Sequence, residues 1–360
     1  MKKFLLFIHQ VMPLLLITAL VFTLSCKKDE TGPDDPAPVT HPRVYVCNEG
    51  PFMNGSGSIS VFDKVTGTVV NHLFYKVNGF HLGNIVQSME VVDETGYIIV
   101  NNANKIEVVR MSDFSSLGMI ENLTLPRFFL QIDAKKAYVS CWDNTVAVLS
   151  LLTNNVEKHA ATGTGPERMV KIDNRVFVLN QGGFGIDSTI TVMDAGSDLA
   201  IHSLQVYPKP TGAVADAEGK LWVLCSGKGF NGWPQADDSK GHLLRIDPLS
   251  YQVLADYEFP ATDKHPDKLV INQAGNAMFY IYESGIYRFR PGDTALPGTP
   301  LISHAGYIYA LGYDDQDDML YFSDPVDFVQ NGWIFRHKAS DGLAVDSFLT
   351  GVIPTYFTFR

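Results

Sequence analysis

The side chains best able to bind or catalyse are scattered along the chain. His81, His265 and His304 stand far apart, so they could share a metal only if folding gathered them; singly, each reads as a loop side chain with local hydrogen bonds. Cys47, Cys141 and Cys225 end the apolar runs VYVC, YVSC and LWVLC. After Cys26 their number is odd and their spacing wide, which fits small buried residues rather than a disulfide framework or a zinc site. DDQDD at 314–318 has the acids of a calcium loop, but it occupies a slot filled elsewhere by short turns such as DETG and DAEGK, and a solvated turn is expected. SGKG at 226–229 lacks the spacing of a phosphate loop, and neither HExxH nor GxSxG occurs. No catalytic residue, metal or cofactor is expected from these patterns.

Aromatic residues on glycine-rich stretches carry a different signal. NEGPFMNGSG (48–57), NQGGFGID (180–187), SGKGFNGWPQADDSKG (226–241) and SDPVDFVQNGW (323–333) combine Gly and Asn, which allow left-handed backbone, with rings. The rings are Phe52, Phe184, Phe230 with Trp233, and Phe328 with Trp333, and Trp142 holds the equivalent place in CWDN. An exposed ring gains burial only when a ligand or a neighbouring loop covers it, and flat rings suit a planar or ring-shaped ligand. Loop-on-loop packing is the competing reading. A second set of connections adds polar groups: His81, Arg127, Glu167, Arg168, Lys209, His265, Asp267 and His304. The candidate ligand contacts are therefore Phe52, Trp142, Phe184, Phe230, Trp233, Phe328 and Trp333 with Arg127, Arg168 and His265.

These candidates belong to a repeating frame. An apolar β-type run with an aromatic or Ile anchor recurs at Tyr45, Ile98, Tyr138, Phe177, Trp222, Phe279 and Tyr321, at intervals of 53, 40, 39, 45, 57 and 42 residues. That is the period of a propeller blade. Each anchor run is followed by a second β-type run, from SISVFD to WIFRH, and most by a third. Ahead of four anchors a Pro opens a further apolar segment, at LPRFFLQID, GPERMVKID, KPTGAVADA and HPDKLVINQ, where a missing N–H does least harm to a strand. The unit thus has four strands: A after the Pro, B at the anchor, then C and D. No stretch of 11 or more residues shows a helical apolar period.

The chain starts at a B strand and ends with the Pro-led GVIPTYFTF, so this last strand is expected to complete the first blade and close the ring. The predicted fold is all-β: a seven-bladed β-propeller of four-stranded blades over 43–360. In that topology the B-to-C and D-to-A connections share one face around the central channel, and the ring-bearing loops are all B-to-C connections.

VYVCN…GSISVFD and VFVLN…STITVMD resemble the YVTN-type repeat of YncE-like seven-bladed propellers over residues 43–360. The start, MKKFLLFIHQVMPLLLITALVFTLSC, resembles a bacterial lipoprotein signal over 1–25, which would make Cys26 the lipidated first residue ahead of a charged, Pro-rich tether over 26–42. Losing 1–25 removes two Lys and no acid and takes the net charge from −11 to −13, which argues against nucleic acid as partner. Lys28, Asp29 and Glu30 resemble the signal that sends lipoproteins to the outer face of the outer membrane in Bacteroidetes-type bacteria. The combination looks like the surface lipoproteins that capture cobalamin for vitamin B12 transporters in such bacteria. The resemblance implies a non-catalytic binder of cobalamin or another corrinoid that hands it to an outer-membrane transporter. A scaffold for a protein or glycan partner in a surface uptake complex, and a lyase-type enzyme of related propellers, are the alternatives.

Overall fold

The computed structural model describes residues 41–51 and 55–360. Cys26, the signal, most of the tether and Phe52 lie outside the described residues.

Seven four-stranded antiparallel sheets form the ring, and six of them are built from four consecutive strands. The first blade is the exception. Its strands B, C and D are Arg43–Asn48, Ser58–Asp63 and Val69–Val70, and its strand A is the C-terminal Pro354–Phe359. Val44 pairs with Phe359 and Val46 with Phe357, while Arg43 and Arg360 exchange both backbone bonds at 2.6 and 2.9 Å. Closure therefore covers strand B of the first blade, which would otherwise be an open edge at the seam. Strand D of this blade is two residues long because the chain turns, through left-handed His72, into one short helix, Leu73–Asn78, which buries Phe74.

The apolar core is distributed in seven clusters, one between each pair of neighbouring blades. The strand B anchors explain this, because each sits three residues before the end of its strand and faces the next blade. Trp222, for example, packs against Tyr280 and Phe289 of the following blade. In the second blade this position is Tyr97, not the expected Ile98: Tyr97 packs with Phe129 of the third blade, and Ile98 points back to Tyr45. A slip of one residue along a strand moves a side chain to the other face, and the TGYIIV run offers apolar residues on both. The Cys side chains fill these clusters and are fully buried, Cys141 with its thiol pushed up to about 12, chiefly by burial.

One backbone device recurs at the inner strand. In six blades strand A carries a bulge at its start, so that two residues oppose one of strand B. The residue just before the strand is left-handed in five of them: Ile85, Leu125, Gly165, Lys209 and Ile353, with φ between 47° and 60°. The carbonyl of each then accepts the N–H of the first B-to-C loop residue, respectively Asn101, Trp142, Gln181, Ser226 and Glu49, at 2.8–3.2 Å. Bulges re-aim side chains. Here they turn two residues of each bulged strand toward the channel, and in five blades the left-handed residue ties the B-to-C loop to its own inner strand.

DDQDD does form the turn after strand A of the seventh blade, but it is not simply solvated. Asp314 is buried and takes the Lys64 ammonium at 2.7 Å from the first blade, a second tie across the seam. Among the described residues no group of three or more His, Cys, Asp or Glu is arranged to hold a metal.

Candidate functional site

The first bulge residue of each blade lines the mouth of the channel: Thr355, Gln87, Arg127, Glu167, Thr211 and Asp267 in blades one to six, with Tyr309 at the corresponding place in the seventh. Arg127 is the hub. Its Nε donates to Glu167 Oε1 at 2.8 Å, its Nη1 to Gln87, and its guanidinium lies 4.3 Å from the Trp142 ring centre. Trp142 Nε1 donates to the same Glu167 oxygen at 2.8 Å. A buried carboxylate thus fixes a cation and an indole together, and charge-assisted bonds of this kind are roughly twice as strong as neutral ones.

Phe184 meets Trp142 edge to face, with centroids 5.0 Å apart, while remaining 90% exposed. The two rings form one wall of a cavity of about 420 Å³, with Arg127, Gln87, Asn84 and Asn102 on its floor and sides. Tyr309 and Glu49 stand opposite, joined by a 2.9 Å bond from the phenol to the carboxylate. Burial first, and Glu49 second, push that phenol well above its ordinary range, so it stays a donor. Phe328 packs against Tyr307 and Tyr309, extending this wall outward.

Loop 226–241 projects beside the mouth. Lys209 Nζ donates to Gly229 O at 2.9 Å and lies 3.9 Å from the Phe230 ring. His265 is buried, its Nδ1–H donating to Ser226 O at 3.0 Å, and its backbone exchanges two bonds with the Asn231 amide. Phe230 and Trp233 are 62% and 73% exposed at the loop's outer turn. Arg168 lies one residue deeper in the channel than Glu167, against the rings of Phe128 and Tyr356.

The candidates therefore divide. Trp142, Phe184 and Arg127 border one cavity, and Phe328, Phe230 and Trp233 rim the same face. His265 is a loop clamp and Arg168 a channel residue. Trp333 is not on a loop: strand C of the seventh blade starts at Asn331, and Trp333 pairs there with Asp324 and Leu349. His304 is held by Asp324 at 2.7 Å and His81 stacks on Tyr75, so the three histidines do not converge. Sequence reading missed Glu49, Gln87 and Tyr309. The signal for part of the mouth was present, because the residue after each strand-opening Pro occupies the first bulge position.

Among solved structures, the chain is similar to a quinonprotein alcohol dehydrogenase-like protein from Bacteroides thetaiotaomicron, with a TM-score of 0.66 and 13% identity over 88% of this chain and 78% of that one. It is similar to a putative 6-phosphogluconolactonase from Bacteroides fragilis, with a TM-score of 0.66 and 10% identity over 91% and 100%. The periplasmic gluconolactonase of Pseudomonas aeruginosa aligns with a TM-score of 0.64 and 11% identity over 88% and 99%. At such identities the likeness is one of fold. No curated protein matches the chain. The model of a domain of unknown function, DUF5074, matches residues 43–309, and the chain belongs to that family.

Proposed function

We propose that the face bearing the B-to-C loops is a non-catalytic binding surface for a large ring-shaped small molecule, cobalamin or another corrinoid being the first choice. The observation that carries this reading is the set of exposed rings around a polar mouth: Phe184, Phe230 and Trp233 stay largely uncovered by the protein itself. A cavity of about 420 Å³ is at the small end for ligand sites. A corrinoid would rest its macrocycle on the rim and place only a side arm in the hollow, where Arg127, Asn84, Asn102 and Glu49 offer both donors and acceptors. Lipidation at Cys26 would hold the propeller at the outer membrane for handover to a transporter.

Calorimetric titration with cyanocobalamin tests the reading. Saturable binding is expected, weakened about tenfold in Phe184→Ala, since an aromatic contact contributes about 1 kcal/mol beyond its area. Absence of heat and of thermal stabilisation at about 100 µM ligand would remove it.

A second reading, chemistry on a lactone, draws on the gluconolactonase names of two structural neighbours and on half-buried Glu90. Burial raises its carboxyl, against the Tyr356 hydroxyl bond and the Arg168 charge, which suits a general acid. Hydrolysis of gluconolactone at a rate that falls in Glu90→Gln would favour it.

A further inference from the structure

The second bulge position forms a ring one step inside the mouth. Its residues are Tyr356, Ser88, Phe128, Arg168, Gly212 and Lys268, with Ala310 in the seventh blade. Two are cations, and they flank Gly212, which cannot carry a side chain because a Cβ there would lie 2.6 Å from Leu269 Cβ. Arg168, Gly212 and Lys268 line one channel cavity of about 330 Å³, together with Thr211 and Tyr356.

The two cations are under-compensated in a chain whose net charge is −11. Arg127, at the mouth, has a buried carboxylate at 2.8 Å. Arg168 has rings instead: Phe128 at 4.0 Å and Tyr356 at 4.9 Å from its guanidinium carbon. Among the described residues no carboxylate stands within ion-pair distance of it. Glu90, whose charge it feels, is engaged by the Tyr356 hydroxyl. Stacking occupies the faces of the guanidinium and one N–H turns to the Tyr356 hydroxyl, which leaves the remaining N–H groups of its edge for an oxyanion. Among the described residues Lys268 has one ion pair, with its own neighbour Asp267 at 3.0 Å, its ammonium lies 5.9 Å from the Tyr309 ring, and it alone among the residues at this position has left-handed backbone, φ 51°.

We propose that this channel cavity is an oxyanion site, in which Arg168 and Lys268 hold a phosphate or carboxylate group between them. The site is separate from the aromatic rim and does not depend on a corrinoid binding there. The tests use inorganic phosphate and acetate, each titrated calorimetrically into the propeller at constant ionic strength with chloride as the balancing anion. Saturable binding of one of them with a dissociation constant of about 1 mM or tighter is expected. The tighter of the two identifies the group, and Arg168→Met and Lys268→Gln should each weaken it about tenfold. Lys268 is partly exposed, so Lys268→Gln keeps the test open if Arg168→Met fails to fold. Binding of neither anion, or equal binding by the parent and the Lys268→Gln protein, overturns the proposal.

Discussion

Gly165→Ala is the sharpest probe of how the frame holds the candidate site. Gly165 precedes strand A of the fourth blade with φ +58°, and a Cβ there would lie 1.9 Å from Gly183 N and 2.5 Å from Gly182 C. No side-chain adjustment relieves this, since the obstructing atoms are backbone of the loop that carries Phe184. That loop is tied by Gln181 N to Gly165 O at 3.0 Å and by Gly182 N to Thr164 O at 2.9 Å. Alanine in left-handed backbone costs about 1–2 kcal/mol, and losing the two bonds adds about 1–3 kcal/mol. The sum falls on the loop, because the strand ladders of the blade do not pass through it. Gly183→Ala is the matched control: its φ is +60°, but its Cβ would come no closer than 3.5 Å to another atom. Hydrogen exchange of residues 181–188 should therefore speed up by a further factor of about 10–100 in Gly165→Ala over Gly183→Ala, with Phe184 displaced from Trp142. Equal acceleration in both variants would refute the claim that Gly165 is demanded by contact rather than by backbone angle alone.

Two further outcomes concern buried charge. Lys64 and Asp314 are 4% and 0% exposed across the ring seam, so Lys64→Met should cost about 3–5 kcal/mol in urea unfolding by stranding Asp314. Adding Asp314→Leu should recover most of that, and a double variant as unstable as the single changes combined would contradict a pairwise tie. Asp198 is pushed up by burial but pulled lower overall by Lys136, Tyr138 and Lys158, so its folded value is depressed. Its contribution is then fully present above the unfolded carboxylate value near pH 4 and is lost as pH falls through the folded one. Asp198→Asn should be clearly less stable than the parent at pH 7, and the gap should close below about pH 4. A gap that stays constant down to pH 2 would show no linkage and refute a depressed carboxyl at this position.

Blade number, the strand-opening prolines and the C-terminal closure were legible because each rests on local chemistry. A Pro tolerates only the start of an inner strand, and Tyr138, Phe177 or Trp222 can be spaced like a ruler along the chain. Ile98 was misread because TGYIIV is apolar on both faces and period-two reasoning needs a polar face to set the register. Trp333 was misplaced for a related reason: strand C of the seventh blade begins with Asn331 and Gly332, which read as loop residues although they lie in the ladder. Glu49 and Tyr309 were not recognisable as partners, since 260 residues separate them and only the ring closure makes them neighbours.

The repeated bulge explains how so regular a frame carries so irregular a site. The ties that fix five of the B-to-C loops run from one main-chain N–H to one main-chain carbonyl, so they place almost no demand on side-chain identity. Ile85, Leu125, Lys209 and Ile353 all serve in left-handed backbone that bulky residues rarely adopt, which shows the frame imposing conformation on sequence. Side chains at the two bulge positions are then free to differ from blade to blade. At the mouth they cancel one another, Arg127 against Glu167; one step deeper Arg168 and Lys268 lack such a match from a neighbouring blade. The last two blades depart from the frame: the seventh carries no bulge, and in the sixth the left-handed residue is Lys268 within the bulge, while buried His265 stands ahead of Pro266. That shift clamps loop 226–241 through His265 and presents Lys268 to the channel, so one local change in backbone serves both the rim and the interior.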